Sequence, residues 1–159
     1  MPEGAFIEIE GLDKLLKKLD KIGKLDYVKA GIKAGAVYVK GKIAKYPPPT
    51  AINKPGNPSG RWYVRGYGWR FASGRVSPVS EDLGGGWTIK TEDRGFTAIV
   101  GNDTSYGIFV QGPKDGPKGQ RQAGHMARIG WKSVDTVAEE EKKRVQEYVF
   151  DAVRRAIGA

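Results

Sequence analysis

The chain of 159 residues contains a single histidine, His125, and no cysteine, so few of its side chains could carry acid–base or nucleophilic chemistry. A metal site needs several ligands close together, and the sequence around His125 offers neither cysteine nor a pair of carboxylates. As a general base, His125 would need a nucleophile or a substrate contact that the sequence does not identify. The sequence therefore predicts no catalytic residue and no metal site.

Three glycine or serine motifs are incomplete versions of cofactor or catalytic motifs. The run Gly84-Gly85-Gly86 lacks the lysine and the serine or threonine that complete a phosphate-binding loop. Gly66 and Gly68 lack the third glycine of a dinucleotide-binding loop, and Ser105 is not flanked as in a nucleophile elbow. We therefore predict no cofactor and no enzymatic activity.

One stretch, residues 61–71, interleaves aromatic residues with arginine and glycine. Rings that stack on bases and guanidinium groups that bind phosphates are what a single-stranded nucleic-acid platform requires. The other interpretation is a twisted strand whose aromatic rings pack on the core beneath the arginine stems, and we favour it. If the stretch contacts a nucleic acid or a protein partner, the candidate residues are Arg61, Trp62, Arg65, Trp69 and Arg70.

The formal net charge is +9, from 27 basic and 18 acidic residues. Such an excess predicts acidic partners, either nucleic acid or an acidic protein surface, or simply a protein kept apart in solution by its own charge. The absence of cysteine fits a reducing compartment. The sequence has no signal-peptide pattern at its start and no apolar run long enough to span a membrane, and its length predicts a single domain over residues 1–159.

The clearest β-strand pattern is an alternation of apolar and polar residues across 87–90 and again across 96–101. Between these segments, Gly95 supplies the positive φ that a short hairpin loop usually needs. We therefore predict an antiparallel sheet that includes both segments. Trp87 and Phe96 are expected to be buried on the face of the sheet that meets the helices.

Helical spacing of apolar residues predicts three helices, at about 12–22, 27–45 and 133–157. The first has an apolar stripe formed by Leu12, Leu15, Leu16, Leu19 and Ile22, with lysines on the opposite face. The sequence thus predicts an α+β fold in which a small antiparallel sheet packs with an N-terminal helix pair and a long C-terminal helix.

Details of the second and third helices follow from residue types. Asp26 can cap the second helix, whose Gly31, Gly35 and Gly41 would let another backbone approach closely. In the third helix, either Ser133 or a capping box of Thr136 with Glu139 is expected at the start. Its expected i,i+4 ion pairs are Glu139 with Lys143 and Glu140 with Arg144.

Two loops, residues 47–60 and 112–124, are rich in glycine, proline and polar residues. We expect both to be mobile in the isolated chain and to become ordered on assembly, because they have few groups to bury.

A series of short motifs, in a fixed order over roughly residues 10–150, resembles the tailed-phage neck and minor tail proteins, the tail-completion family of siphophages and prophages. The segment between Arg65 and Ser80 departs from that family because it is longer and more aromatic. The motifs that carry the resemblance are Gly11-Leu12-Asp13-Lys14-Leu15, Tyr46-Pro47-Pro48, Tyr63-Val64-Arg65-Gly66, Ser80-Glu81-Asp82-Leu83-Gly84-Gly85-Gly86-Trp87, Val100-Gly101-Asn102, Tyr106-Gly107-Ile108-Phe109-Val110-Gln111-Gly112, Gln122, His125 and Gly130-Trp131.

This resemblance implies a structural virion protein of the head–tail junction or upper tail, assembled in the host cytoplasm. It implies a homo-oligomeric ring that contacts other neck, connector or tail-tube proteins, with non-specific contact to DNA and no membrane. The rival interpretation from the residues is a basic nucleic-acid-binding protein or small nuclease that uses residues 61–71 and His125.

Overall fold

The computed structural model describes residues 25–48 and 82–157, together with Lys14 and Lys17. The fold is α+β, as the sequence predicts. Most of the predicted helix 12–22, loop residues 49–60 and the aromatic stretch 61–71 lie outside the described residues, although Lys14 and Lys17 are helical and exposed. The elements are α1 Leu25–Ile43, α2 Asp82–Gly85, β1 Trp87–Glu92, β2 Thr97–Asn102, α3 Gly107–Gln111, α4 Gly124–Arg128 and α5 Val134–Ile157.

Strands β1 and β2 form the predicted antiparallel hairpin, with Trp87 opposite Asn102 and Glu92 opposite Thr97. The turn between them is one short 3₁₀ segment in which three successive residues have positive φ. Gly95, at φ +96°, supplies the left-handed conformation predicted for it, and Arg94 adopts φ +56°. The Thr97 hydroxyl donates a hydrogen bond to the Asp93 carboxylate, which ties the turn to the start of β2.

Helices α1 and α5 pack antiparallel and very close to each other. A Cβ added at Gly31 would lie 2.6 Å from the Ala152 Cβ and 2.9 Å from the Tyr148 carbonyl oxygen. At Gly35 it would lie 3.2 Å from a methyl group of Val145. These glycines therefore allow the two backbones to approach, as expected, and the contact offsets their cost of about 1 kcal/mol each in a helix.

The core lies where the two long helices meet the hairpin. Trp87 is 4% exposed and packs with Ile43 of α1 and Val137 of α5, which confirms its predicted burial. Phe96 was predicted to be buried, and this prediction was wrong, because the residue lies in the turn before β2 and is only half-buried. Its ring packs against the cluster around Val28, with the Lys29 ammonium 5.4 Å from the ring centroid.

The beginnings of the two long helices differ from one another. Asp26 does not cap α1, since it lies inside the first turn and pairs with Lys29 at 3.1 Å. Ser133 does cap α5, because its hydroxyl oxygen accepts the backbone N–H of Thr136 at 3.2 Å. This side chain is buried, so the cap also fixes where α5 enters the core.

The surface ion pairs of α5 also differ from those predicted. Glu140 pairs with Lys132, which precedes the helix, at 2.5 Å. Arg144 pairs with Glu147 at 2.5 Å, three residues along the helix. Several favourable partners are available to such long exposed side chains, and each pair contributes little, so spacing alone does not select among them.

Candidate interaction surface

Arg61, Trp62, Arg65, Trp69 and Arg70 all lie outside the described residues. His125 lies on α4 and is half-buried. Within 25–48 and 82–157, no three histidine or acidic side chains are grouped so that they could hold a metal ion. In the same ranges, no helix is both long and apolar enough to cross a membrane.

The end of β2 is joined to the following loop by the side chain of Asn102. Its amide N–H donates to the carbonyl oxygen of Leu83 at 2.8 Å. Its oxygen accepts the backbone N–H of Thr104 at 2.9 Å and the Thr104 hydroxyl at 2.6 Å. Gly107 lies directly against this pair, since a Cβ there would be 3.0–3.1 Å from the two side chains. The start of α3 is therefore fixed relative to the hairpin.

Gln111, at the end of α3, is buried and joins three segments that are distant in the sequence. Its amide N–H groups donate to the carbonyl oxygen of Ile43 at 2.8 Å and to that of Lys132 at 3.4 Å. The first is the last residue of α1, and the second lies just before α5. A buried amide that donates to these two carbonyl oxygens fixes the end of α1 relative to the start of α5.

Gln122, at the end of the loop after α3, connects α3 to the segment that follows α4. Its amide N–H groups donate to the carbonyl oxygens of Val110 at 2.8 Å and Trp131 at 2.9 Å. Its backbone N–H donates to the carbonyl oxygen of Pro113 at 2.9 Å, which closes the base of the loop. A further hydrogen bond, from the Lys114 N–H to the Asp135 carboxylate at 2.7 Å, attaches the loop to α5.

Beneath these amides lies a second apolar cluster that supports α3 and α4. Leu83, Val110, Ile129 and Trp131 are all buried in it. The Trp131 ring meets the Tyr46 ring edge-on, with the centroids 5.0 Å apart. The loop base therefore rests on packed side chains as well as on hydrogen bonds.

Two aromatic side chains remain exposed on this supported region. Tyr106 is 39% exposed and Phe109 is 44% exposed, three residues apart on one helical turn. The Phe109 carbonyl oxygen accepts the N–H of Ala123 at 2.8 Å, so the backbone of Phe109 lies beside the returning end of the loop. Exposed aromatic side chains on a rigid base are typical of protein interfaces.

The loop next to these aromatic residues is basic and projects into solvent. All of residues 114–121 are exposed. They include Lys114, Lys118 and Arg121 against the single acidic residue Asp115. We define Tyr106, Phe109 and residues 113–121 as the aromatic–basic surface. Its composition suits a partner that offers apolar area and negative charge.

A different polar group joins the C-terminal part of α1 to the N-terminal part of α5. The Tyr38 hydroxyl donates to the Glu141 carboxylate at 2.6 Å, and the Lys42 ammonium lies 3.4 Å from the other carboxylate oxygen. The hydrogen bond from Tyr38, followed by the contact with Lys42, lowers the pKa of Glu141 below its ordinary value. The hydrogen bonds with Tyr38 and Glu141 raise the pKa of Lys42. These groups stabilise the helix pair.

Comparison of the chain with protein-family models, curated proteins and solved structures found no match. The sequence did not predict the roles of Asn102, Gln111 and Gln122. A signal was present, because Gln111 interrupts the otherwise apolar run 106–112 and such a glutamine is expected to be hydrogen-bonded when buried.

Proposed function

We propose that the chain is a structural protein of a tailed-phage head–tail junction or upper tail, where it acts by ring assembly and contacts with other proteins. The observation that carries the proposal is the aromatic–basic surface on its rigid base. A surface of this kind suits binding to another macromolecule, since its aromatic side chains are exposed and the amide N–H groups of Gln111 and Gln122, which support it, donate to backbone carbonyl oxygens.

The arrangement of the motif residues supports the same proposal. Leu83, Asn102, Gln111, Gln122 and Trp131 come from five separate motifs of the resemblance. In the fold they are joined to one another, or to common neighbours, by the amide hydrogen bonds and the second apolar cluster. Motifs that are scattered in the sequence thus build one unit, which presents Tyr106 and Phe109 to solvent.

The net charge of +9 has a role in this proposal. Adjoining virion proteins or DNA in transit would supply the acidic partner. Contact with DNA alone should be weak, indifferent to sequence and steeply reduced by salt, because the described residues contain no element that resembles a base reader.

The experiment mixes purified protein with tail tubes or connector-bearing heads and scores co-sedimentation. Phe109→Ser should reduce the co-sedimenting fraction at least tenfold, since truncating an aromatic hot-spot residue of an interface costs about 2 kcal/mol or more. Phe150→Ser is the matched control, because Phe150 has the same exposure of 44% but lies on α5. Equal binding by both variants would contradict a role for the aromatic–basic surface.

A second experiment tests the alternative interpretation that the protein is a nuclease. The protein is incubated with RNA and DNA in the presence of divalent metal, and turnover is measured for the original chain and for His125→Ala. The proposal predicts no turnover in either. Turnover that is lost in His125→Ala, without association with virion parts, would overturn the proposal in favour of the nuclease.

A further inference from the structure

The tip of the basic loop in the aromatic–basic surface is a closed turn. The Gln120 N–H donates to the carbonyl oxygen of Pro117 at 2.9 Å, so Lys118 lies within this turn. Across the loop, a Cβ placed on Gly116 would be 3.6 Å from the Gln120 carbonyl oxygen and 3.9 Å from the Arg121 Cβ. The two arms of the loop are therefore adjacent, and Lys118 and Arg121 extend from one narrow projection.

This projection carries charges of both signs. Lys114, Lys118 and Arg121 are cationic, and Asp115 lies between the first two of them in the sequence. A second carboxylate, that of Asp135 at the start of α5, accepts the backbone N–H of Lys114 at 2.7 Å. Three cations and two carboxylates leave a net charge of +1 at the loop. The surface therefore attracts negative groups only at particular points.

The backbone of DNA is a poor match for this charge pattern. Duplex DNA carries one negative charge per about 1.7 Å of its axis, so proteins bind it with several cations placed along the phosphates. Phosphates that pass Asp115 and Asp135 would be repelled while others are attracted. A polyanion of uniform charge therefore gains little from this surface.

A protein segment with separate carboxylates fits the same pattern better. Its carboxylates can pair with Lys118 and with Arg121, whose guanidinium group can hold a carboxylate by two parallel hydrogen bonds. Its apolar side chains can cover Tyr106 and Phe109, which are 39% and 44% exposed. The phosphate backbone of duplex DNA offers no such apolar area, whereas aromatic residues and arginine are both enriched in protein interfaces.

We propose that the aromatic–basic surface binds an acidic segment of another virion protein, in which carboxylates and apolar side chains alternate, and that it does not bind DNA. The assignment of this partner rests on the proposed function, since the segment belongs to the tail tube or the connector. Charges at the edge of such a contact select the partner and set its register. The exposed aromatic side chains then hold the segment in place.

The test measures co-sedimentation of charge-reversed variants with tail tubes or connector-bearing heads that have been treated with nuclease. Lys118→Glu with Arg121→Glu should lower the co-sedimenting fraction at least tenfold, because two attractive contacts become repulsive. Lys143→Glu with Arg155→Glu is the matched control, since both residues are exposed on α5 and the change in net charge is the same. The control should lower the fraction less than twofold. Short duplex DNA in excess should displace less than half of the bound original chain.

The results separate failure of this partner from failure of the proposed function. If the original chain does not sediment with tubes or heads, the proposed function fails and the acidic partner fails with it. If the original chain sediments but the two double variants bind equally, only the acidic partner is contradicted. Displacement of most of the bound chain by DNA would assign the surface to DNA. Lys118→Gln with Arg121→Gln repeats the test if the charge-reversed variant does not fold, and it should lower the fraction at least threefold.

Discussion

At the scale of single residues, three side-chain amides stabilise the region after β2 by hydrogen bonds to backbone carbonyl oxygens. Asn102, Gln111 and Gln122 donate hydrogen bonds to carbonyl oxygens near helix ends, where the helix itself supplies no further N–H donor. Unpaired buried carbonyls would be costly, so each amide stabilises a helix end or a loop end that other contacts leave free.

Replacing Gln111 by alanine should therefore lower the free energy of unfolding by about 1–3 kcal/mol, because it leaves the buried carbonyl of Ile43 without its donor. Gln120→Ala is the control, since Gln120 is exposed in the basic loop. Urea titration followed by circular dichroism measures both. A loss below about 0.5 kcal/mol for Gln111→Ala would show that its hydrogen bonds are replaced by water.

The pKa of Glu141 gives a prediction with a definite sign. Because the folded-state pKa lies below the ordinary value, the carboxylate stabilises the fold above the unfolded pKa of about 4.3, and this stabilisation is lost as the pH falls through the folded value. Glu141→Gln should thus be less stable than the original chain at pH 7. The difference should shrink as the pH is lowered below about 4. Thermal melts at pH 7 and pH 3 with the same size of difference would contradict the assignment.

At the scale of elements, the helix pair depends on close approach at particular glycines. Gly31→Ala should destabilise by about 1–3 kcal/mol, because the new methyl group would overlap α5. Gly41→Ala should stabilise by about 0.5–1 kcal/mol, since it removes a flexible residue from a helix where nothing lies within 4 Å. Urea midpoints that shift down for Gly31→Ala and up for Gly41→Ala would support this packing. Destabilisation of the same size at both positions would refute it.

The basic loop is expected to show two kinds of behaviour in hydrogen exchange. The amide of Gln122, which bonds to Pro113, should be protected in the isolated chain. Amides of the exposed residues 115–119 should exchange fast there and slow down on assembly, because the base alone is anchored. Strong protection of 115–119 in a free monomer would contradict the predicted mobility of the loop.

Local pattern explains which elements could be predicted from the sequence. Helices α1 and α5 and the strand pair were predicted within a few residues, because their apolar periodicity and Gly95 depend only on neighbours in the chain. Gln111 could not be assigned its partners, since Ile43 lies 68 residues away. The ion pairs of α5 were predicted wrongly, because Lys132 comes from outside the helix and competes for Glu140.

At the scale of the whole molecule, the described residues form one core, in which the two long helices pack on the β-hairpin. One end of the helix pair carries the aromatic–basic surface, next to Asp135 at the start of α5. A ring requires that each copy use two different surfaces, one against each neighbour. The aromatic–basic surface supplies one of the two in our proposal.

The central claim is that the chain functions by assembly, and the mass of the protein in solution tests it most directly. Sedimentation velocity is run on the purified chain alone and after mixing with tail-tube protein or connector-bearing heads. We predict a monomer or small oligomer alone and a closed species of several copies bound to the virion part, with the bound form reduced at least tenfold in Phe109→Ser. A chain that stays monomeric in both conditions, with no species bound to tubes or heads, would contradict the account.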